Sequence, residues 1–284
     1  PELAALATMN KLTYEQTVNE MTKRYDGYHF SEFLSDGIYN PFSVLNALVQ
    51  KRFSSYWFAT GTPTMLVDTL KKTDYDLRQL DGIEVPAAAL IDYRADFHNP
   101  VPIIYQSGYL TIKGYDPAKD FYTLDFPNAE VKYGWLNFIT PYYTPLSEST
   151  APFYIGKFWD ELRAGDVDAF MERLHAFFEG IPYELNSKTE RHYQVIFYIV
   201  FKLLGQYVDA EVRSARGRAD AVVKTTDYIY VFEFKLDGSV DEVLRQIDEK
   251  GYLIPYTVDS RQLVKVGATL YKEKRNIGEL KPNF

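Results

Sequence analysis

The stretch from Glu190 to Leu204 does most to constrain how this chain can fold. Its centre, Val195 to Phe201, is apolar at every position, and Gly205 follows as a stop. A helix that is apolar on nearly every side has to be buried between layers. The period then switches to that of strands, at Tyr207 to Arg213, Arg218 to Lys224 and Tyr228 to Lys235. A polar break at Asp237-Gly238-Ser239 leads into a helix from Val240 to Tyr252, and Leu263 to Tyr271 reads as a last strand. The order α-β-β-β-α-β predicts an α/β (α+β) fold, a mixed sheet with helices on its faces. Ahead of it, Asp166 opens an amphipathic helix in which Val167, Phe170, Met171, Leu174, Phe177 and Phe178 form one apolar stripe. That stripe is core.

The first 80 residues read as helices joined by tight turns. Val44, Leu45, Leu48 and Val49 recur at helical spacing after Pro41, and Tyr25-Asp26-Gly27-Tyr28 and Thr60-Gly61-Thr62-Pro63 are turn signals. The second turn is expected to cap a helix starting near Met65; free N–H groups there could also hold a phosphate. From Pro102 to Phe126 the pattern is β-like, at Ile103-Ile104-Tyr105, Tyr109 to Ile112 and Tyr122 to Phe126, which predicts a small sheet or wing. The polar, proline-bounded segment Pro145 to Pro152 is the expected linker, dividing the chain into residues 1–150 and 151–284.

Charge is unevenly distributed along the chain. The 284 residues carry 31 basic and 39 acidic side chains, a net −8, but residues 185–284 hold 16 basic against 14 acidic. A surface that handles polyanions is therefore expected in the last hundred residues. The absence of cysteine excludes disulfides, thiol nucleophiles and the common structural zinc sites. No apolar run approaches the roughly 20 residues that cross a bilayer. The opening Pro1-Glu2-Leu3 carries no secretory signal and no initiator Met, so a trimmed, soluble, cytoplasmic chain is expected. His29, His98, His175 and His192 are scattered without the spacing of a metal pair.

The chemistry concentrates on Asp220, Glu233 and Lys235. Strand alternation puts Glu233 and Lys235 on one face, with Phe232 and Phe234 on the other. Charged groups set among Ala221, Val222, Val223, Ile229 and Val231 are costly unless paired or bound to metal. Two carboxylates suit Mg²⁺ through hard oxygen ligands; the Phe234 carbonyl can join them, and Lys235 can orient a water near a phosphate. The alternative is an ion-pair cluster at a sheet edge. The Glu-x-Lys triplet itself is common, since Glu130-Val-Lys132 and Glu279-Leu-Lys281 repeat it. Arg213, Arg216, Arg218 and Lys224, with Lys188, Arg191 and Arg245, form either a phosphate-backbone track or solvated strand ends.

Arg216 to Asp220, Ile229 to Lys235 and Gln246-Ile247 together resemble the PD-(D/E)XK nuclease superfamily, in the branch found at the C-terminus of bacterial AAA-ATPase-like proteins. Tyr25 to Tyr28, Tyr39 to Val44, Tyr56-Trp57, Lys265 to Ala268 and Lys274 to Ile277 extend the likeness over most of the chain. The resemblance implies metal ligation by Asp220 and Glu233, Lys235 as catalytic lysine, Gln246 as a supporting residue and Glu190 as a further acidic ligand. It implies a nuclease dependent on Mg²⁺ or Mn²⁺, acting on nucleic acid, DNA in the first instance. A catalytically idle nuclease fold serving DNA binding or protein interaction beside an ATPase is the alternative. The chain contains no G-x-x-x-x-G-K-[ST] segment, so no ATPase activity is expected. Residues 1–150 would be the helical lid and winged-helix-like remainder of such a module, with an ATPase partner or a missing ATPase portion elsewhere.

Overall fold

A computed structural model describes the chain except at residues 34–35, 61–63, 73–74, 92–98, 145, 148, 181–189, 208, 213–218, 237, 272–275 and 284. The chain divides into two compact units, Pro1–Trp135 and Leu136–Phe284.

The first unit opens with helices α1 (Glu2–Asn10), α2 (Tyr14–Tyr25), α3 (Pro41–Gln50) and α4 (Thr64–Lys72). Local chemistry sets their ends. Thr13 and Gln16 form a reciprocal capping box on α2, and Asn40 accepts from Ser43 N at 3.2 Å while Pro41 occupies the first turn of α3. Leu6, Met21, Tyr25, Ala47 and Tyr56 form the core among these helices. A three-stranded antiparallel sheet follows, built from β1 (Ile83–Pro86), β2 (Thr111–Asp116) and β3 (Phe121–Asp125) in the order β1-β3-β2. The short helices α5 (Ala87–Ile91) and α6 (Val101–Gln106) lie between β1 and β2 in sequence. The small sheet is therefore present, but Ile103-Ile104-Tyr105 is helical rather than extended. Pro100 and Pro102 explain this, because they stand at the N-cap and in the first turn of α6, where proline costs no helical hydrogen bond. The turn signal at residues 61–63 lies outside the described residues.

Helix α7 (Ala129–Tyr143) carries the chain past residue 135, ahead of the proline-bounded segment. The second unit continues with α8 (Ala151–Ala164), α9 (Val167–Glu179) and α10 (Glu190–Leu204). Asp166 caps α9 through Ala169 N at 3.0 Å, and all six residues of its apolar stripe are buried. Strands β4 (Asp209–Val212), β5 (Ala221–Lys224) and β6 (Tyr228–Leu236), helix α11 (Val240–Glu249), and strands β7 (Gln262–Tyr271) and β8 (Asn276–Asn283) complete the unit. The five strands run in the order β4-β5-β6-β7-β8, parallel only between β6 and β7, where α11 supplies the crossover. The expected α-β-β-β-α-β order is α10 to β7, and β8 adds an antiparallel edge.

Two apolar layers hold the sheet. On one face, Phe232 packs on Phe201 of α10, ring centroids 4.7 Å apart, and Phe234 stacks on Phe197. On the other, Val240, Leu244 and Ile247 of α11 close over Val222, Ile229 and Val231. A Cβ on Gly267 of β7 would stand 3.2 Å from Leu244, so the bare glycine lets α11 lie close to the sheet.

Candidate metal and catalytic site

Strand β5 starts at Ala221, opposite Phe232, whereas β6 runs on to Leu236. The end of β6 therefore has no β5 neighbour, and a side chain takes that place. Asp220, one residue ahead of β5 rather than within it, accepts from the Phe234 N–H through Oδ2 at 2.8 Å. In return the Asp220 N–H donates to Oε2 of Glu233 at 3.3 Å. Each carboxylate thus holds the other's strand, and the two are fixed by main chain rather than by rotamer choice alone.

Glu233 is 6% exposed. It points to the α11 side of the sheet, where the Gln246 amide donates to its Oε1. Burial first, and the negative charge of Asp220 second, push its carboxyl up to about 8; the hydrogen bonds from Asp220 and Gln246 pull the other way without restoring it. Two acidic side chains have been brought together at the edge of a core, and no cation is among the groups that shift Glu233. Among the described residues no cluster of three or more His, Asp or Glu side chains gathers anywhere. Among the described side chains, these two carboxylates are the acidic groups that meet at this strand end.

The family model of the PD-(D/E)XK nuclease superfamily matches residues 188–280. That segment is similar to the superfamily. The match spans α10 to β8 and includes Asp220, Glu233, Lys235 and Gln246. An uncharacterized protein from the vnfD 5' region of Azotobacter chroococcum mcd 1 is 29% identical over 268 residues, covering 91% of this chain. The chain spans about half, 51%, of that relative's length. No solved structure matches the chain.

Within the matched segment, Lys235 leaves the carboxylates for solvent. Its Nζ donates to Oε2 of Glu242 at 3.3 Å, and both side chains are nearly half exposed. Glu242 and Gln246 lie four residues apart on α11, and Lys235 and Glu233 two apart on β6. A helical rise of about 6 Å per four residues matches a strand rise of about 6.6 Å per two. One helix face therefore serves one strand face, with the order reversed.

Tyr252, which the sequence pattern left in the tail of a helix, belongs to this site. Helix α11 stops at Glu249, and the turn that follows puts the Tyr252 ring against the α11-side core. Its hydroxyl is pushed above its usual range by burial, then by the charge of Glu233, with Gln246 pulling the other way. The only sequence signal for it was an aromatic six residues after Gln246. Glu190 is the first residue of α10, but its side chain lies outside what is described, as do Lys188, Arg213, Arg216 and Arg218. Lys224 is placed over the Tyr256 ring at 5.6 Å. Of the histidines, His175 stands 3.9 Å from Glu179, and His29 has a buried Nδ1 without a partner among the described residues. The Glu130 triplet sits elsewhere, in the first turn of α7, with a different surrounding.

Proposed function

We propose that the second unit is a metal-dependent nuclease that hydrolyses phosphodiester bonds, with DNA as the first substrate to test. The observation that supports this reading is the mutual locking of Asp220 and Glu233, two carboxylates held side by side at a strand end. Bringing like charges to a buried edge is unfavourable unless a proton or a cation joins them, and a cation can displace the proton that Glu233 otherwise keeps. The donor set is all oxygen, which suits Mg²⁺ or Mn²⁺. In an extended strand the N–H and C=O of one residue face the same neighbour. The Phe234 carbonyl consequently shares the edge on which its N–H meets Asp220, making it the third protein ligand; Glu190 is a further candidate.

When bound, the ion would polarise the scissile phosphate and acidify a coordinated water. The chain's own residues do the rest. Asp220 and Glu233 hold the site's negative charge at a fixed spacing. Gln246 keeps Glu233 from rotating. Lys235 turns from Glu242 toward a phosphate oxygen, trading one anionic partner for another. The test is cleavage of plasmid and oligonucleotide substrates with Mg²⁺ or Mn²⁺. Asp220→Asn should abolish cutting while the folded state persists; equal cutting by this variant would reject the assignment.

A second reading, an idle nuclease fold that binds DNA or a protein partner such as an ATPase, is favoured by the engagement of Lys235 with Glu242. DNA affinity that falls steeply with salt would support the phosphate-binding face. Absence of both cleavage and salt-dependent DNA binding would favour the protein-interaction module.

A further inference from the structure

Three segments of the first unit stand out in the sequence and have no place in the nuclease site: Tyr25 to Tyr28, Tyr39 to Val44, and Tyr56-Trp57. All three reach one cavity of 360 Å³, lined by Tyr28, Phe30, Tyr39 and Trp57 together with Asn40 and Gly108 among others. Its volume is in the range of ligand sites, and its walls are aromatic with few polar groups. The walls are also pre-set. Trp57 is held edge-on between Tyr109 at 4.8 Å and Phe58 at 5.1 Å, and a Cβ on Gly108, which has φ +80°, would stand 3.4 Å from the Trp57 ring. Tyr28 and Phe30 lie nearly parallel, centroids 6.0 Å apart, with the Tyr28 hydroxyl donating to the Gly108 carbonyl at 3.3 Å.

Electrostatics decides what such a cavity takes. Glu130, 4% exposed, stands behind the Trp57 wall: its Oε1 accepts from the Tyr56 and Trp57 N–H groups, at 2.5 and 3.0 Å. Its Oε2 is buried with no hydrogen-bond partner among the described residues, and its charge reaches the Tyr28 hydroxyl. The nearby Lys113 ammonium is committed to the Gly27 and Pro127 carbonyls at 2.9 and 3.2 Å. Residues 1–135 carry 17 acidic and 12 basic side chains. Aromatic faces in a negative field attract a cation and repel a phosphate. Of the lining residues, Phe30 is 71% and Ile38 53% exposed, and Phe33 and Phe42, close by in sequence, are 81% and 46% exposed, more apolar surface than a small free cation would cover.

We infer that this cavity is a docking site for a basic side chain, the guanidinium or ammonium of an Arg or Lys presented by a partner polypeptide whose flanking apolar residues cover the rim. The inference is independent of the nuclease reading.

The experiment is calorimetry on the full chain with an arginine-containing peptide flanked by leucines, its citrulline counterpart, arginine amide, and AMP. The expected result is binding of the arginine peptide, at least tenfold weaker for citrulline and for arginine amide. The surface variant Phe30→Ala/Tyr39→Ala should lose at least tenfold in affinity, with Glu233→Gln unaffected. Equal binding of the citrulline peptide, or an unchanged affinity in Phe30→Ala/Tyr39→Ala, would overturn it. Arginine amide binding as tightly as the peptide would replace the partner by a free cation, and AMP as the tighter ligand would replace it by a nucleotide; no binding at all would also overturn it.

Discussion

Glu130 and Glu233 begin the same triplet, Glu-x-Lys, and are almost equally buried at 4% and 6% exposure, yet the two units use them differently. Glu130 gives one oxygen to two main-chain N–H groups, and the lysine two residues on reaches Asp81 at 3.8 Å. It ties a loop to a helix. Glu233 receives one main-chain and one side-chain donor and is set beside another carboxylate. Each accepts two hydrogen bonds, but Glu130 takes both on one oxygen from main chain, whereas Glu233 also faces a second carboxylate, which together with burial raises its pKa. A triplet in the sequence cannot distinguish them, because the partners come from other elements.

Substitution should separate the two most clearly. Glu130→Ala strands two buried N–H groups, and urea denaturation should show a loss of about 3 kcal/mol. Glu233→Gln removes a like-charge contact instead, and should leave stability unchanged or raised at pH 8 while cleavage drops at least about a hundredfold. If both variants unfold alike, Glu233 is structural too.

pH sharpens the contrast. Glu233 keeps its proton to about 8 in the folded chain but loses it near 4.5, its unperturbed value, when unfolded. Between those values the native state binds more protons, so this group's contribution to stability is full below 4.5 and is lost as pH rises to 8. The slope reaches at most about 1.4 kcal/mol per pH unit. Thermal melts of the metal-free chain from pH 5 to 8.5 should show this decline, flattened in Glu233→Gln; a wild-type profile identical to the variant's would remove Asp220 and burial as its cause.

The smallest effect is expected at the solvent-facing pair. Glu242→Gln should leave the melting temperature unchanged, since exposed ion pairs contribute little. A marked drop would mean that the Lys235 to Glu242 contact holds α11 in place.

Much of the second unit was legible because its signals are local. The stripe of α9, the limits of α10 and the β6 alternation each follow from side-chain periodicity within one element, and Glu233, Lys235 and Gln246 fall on elements read in that way. Asp220 was legible as a residue, but not its bond to the Phe234 N–H, which depends on where β5 stops. Other features depended on contacts or on ambiguous composition. Ile103-Ile104-Tyr105 is a short apolar run with no periodicity to distinguish helix from strand. Strand β8 is polar and contains Pro282, tolerated because it lies at the sheet edge. Tyr252 enters the site only through the turn after α11.

A cation site at Asp220 and Glu233 can be read by metal titration. Calorimetric titration of Mn²⁺ and Mg²⁺ into the wild-type chain should show binding with proton release, tightening from pH 6 to 8.5 as Glu233 gives up its proton. The Asp220→Asn/Glu233→Gln double variant should bind neither ion. Equal binding by both proteins, or none by either even with a short duplex present, would contradict it.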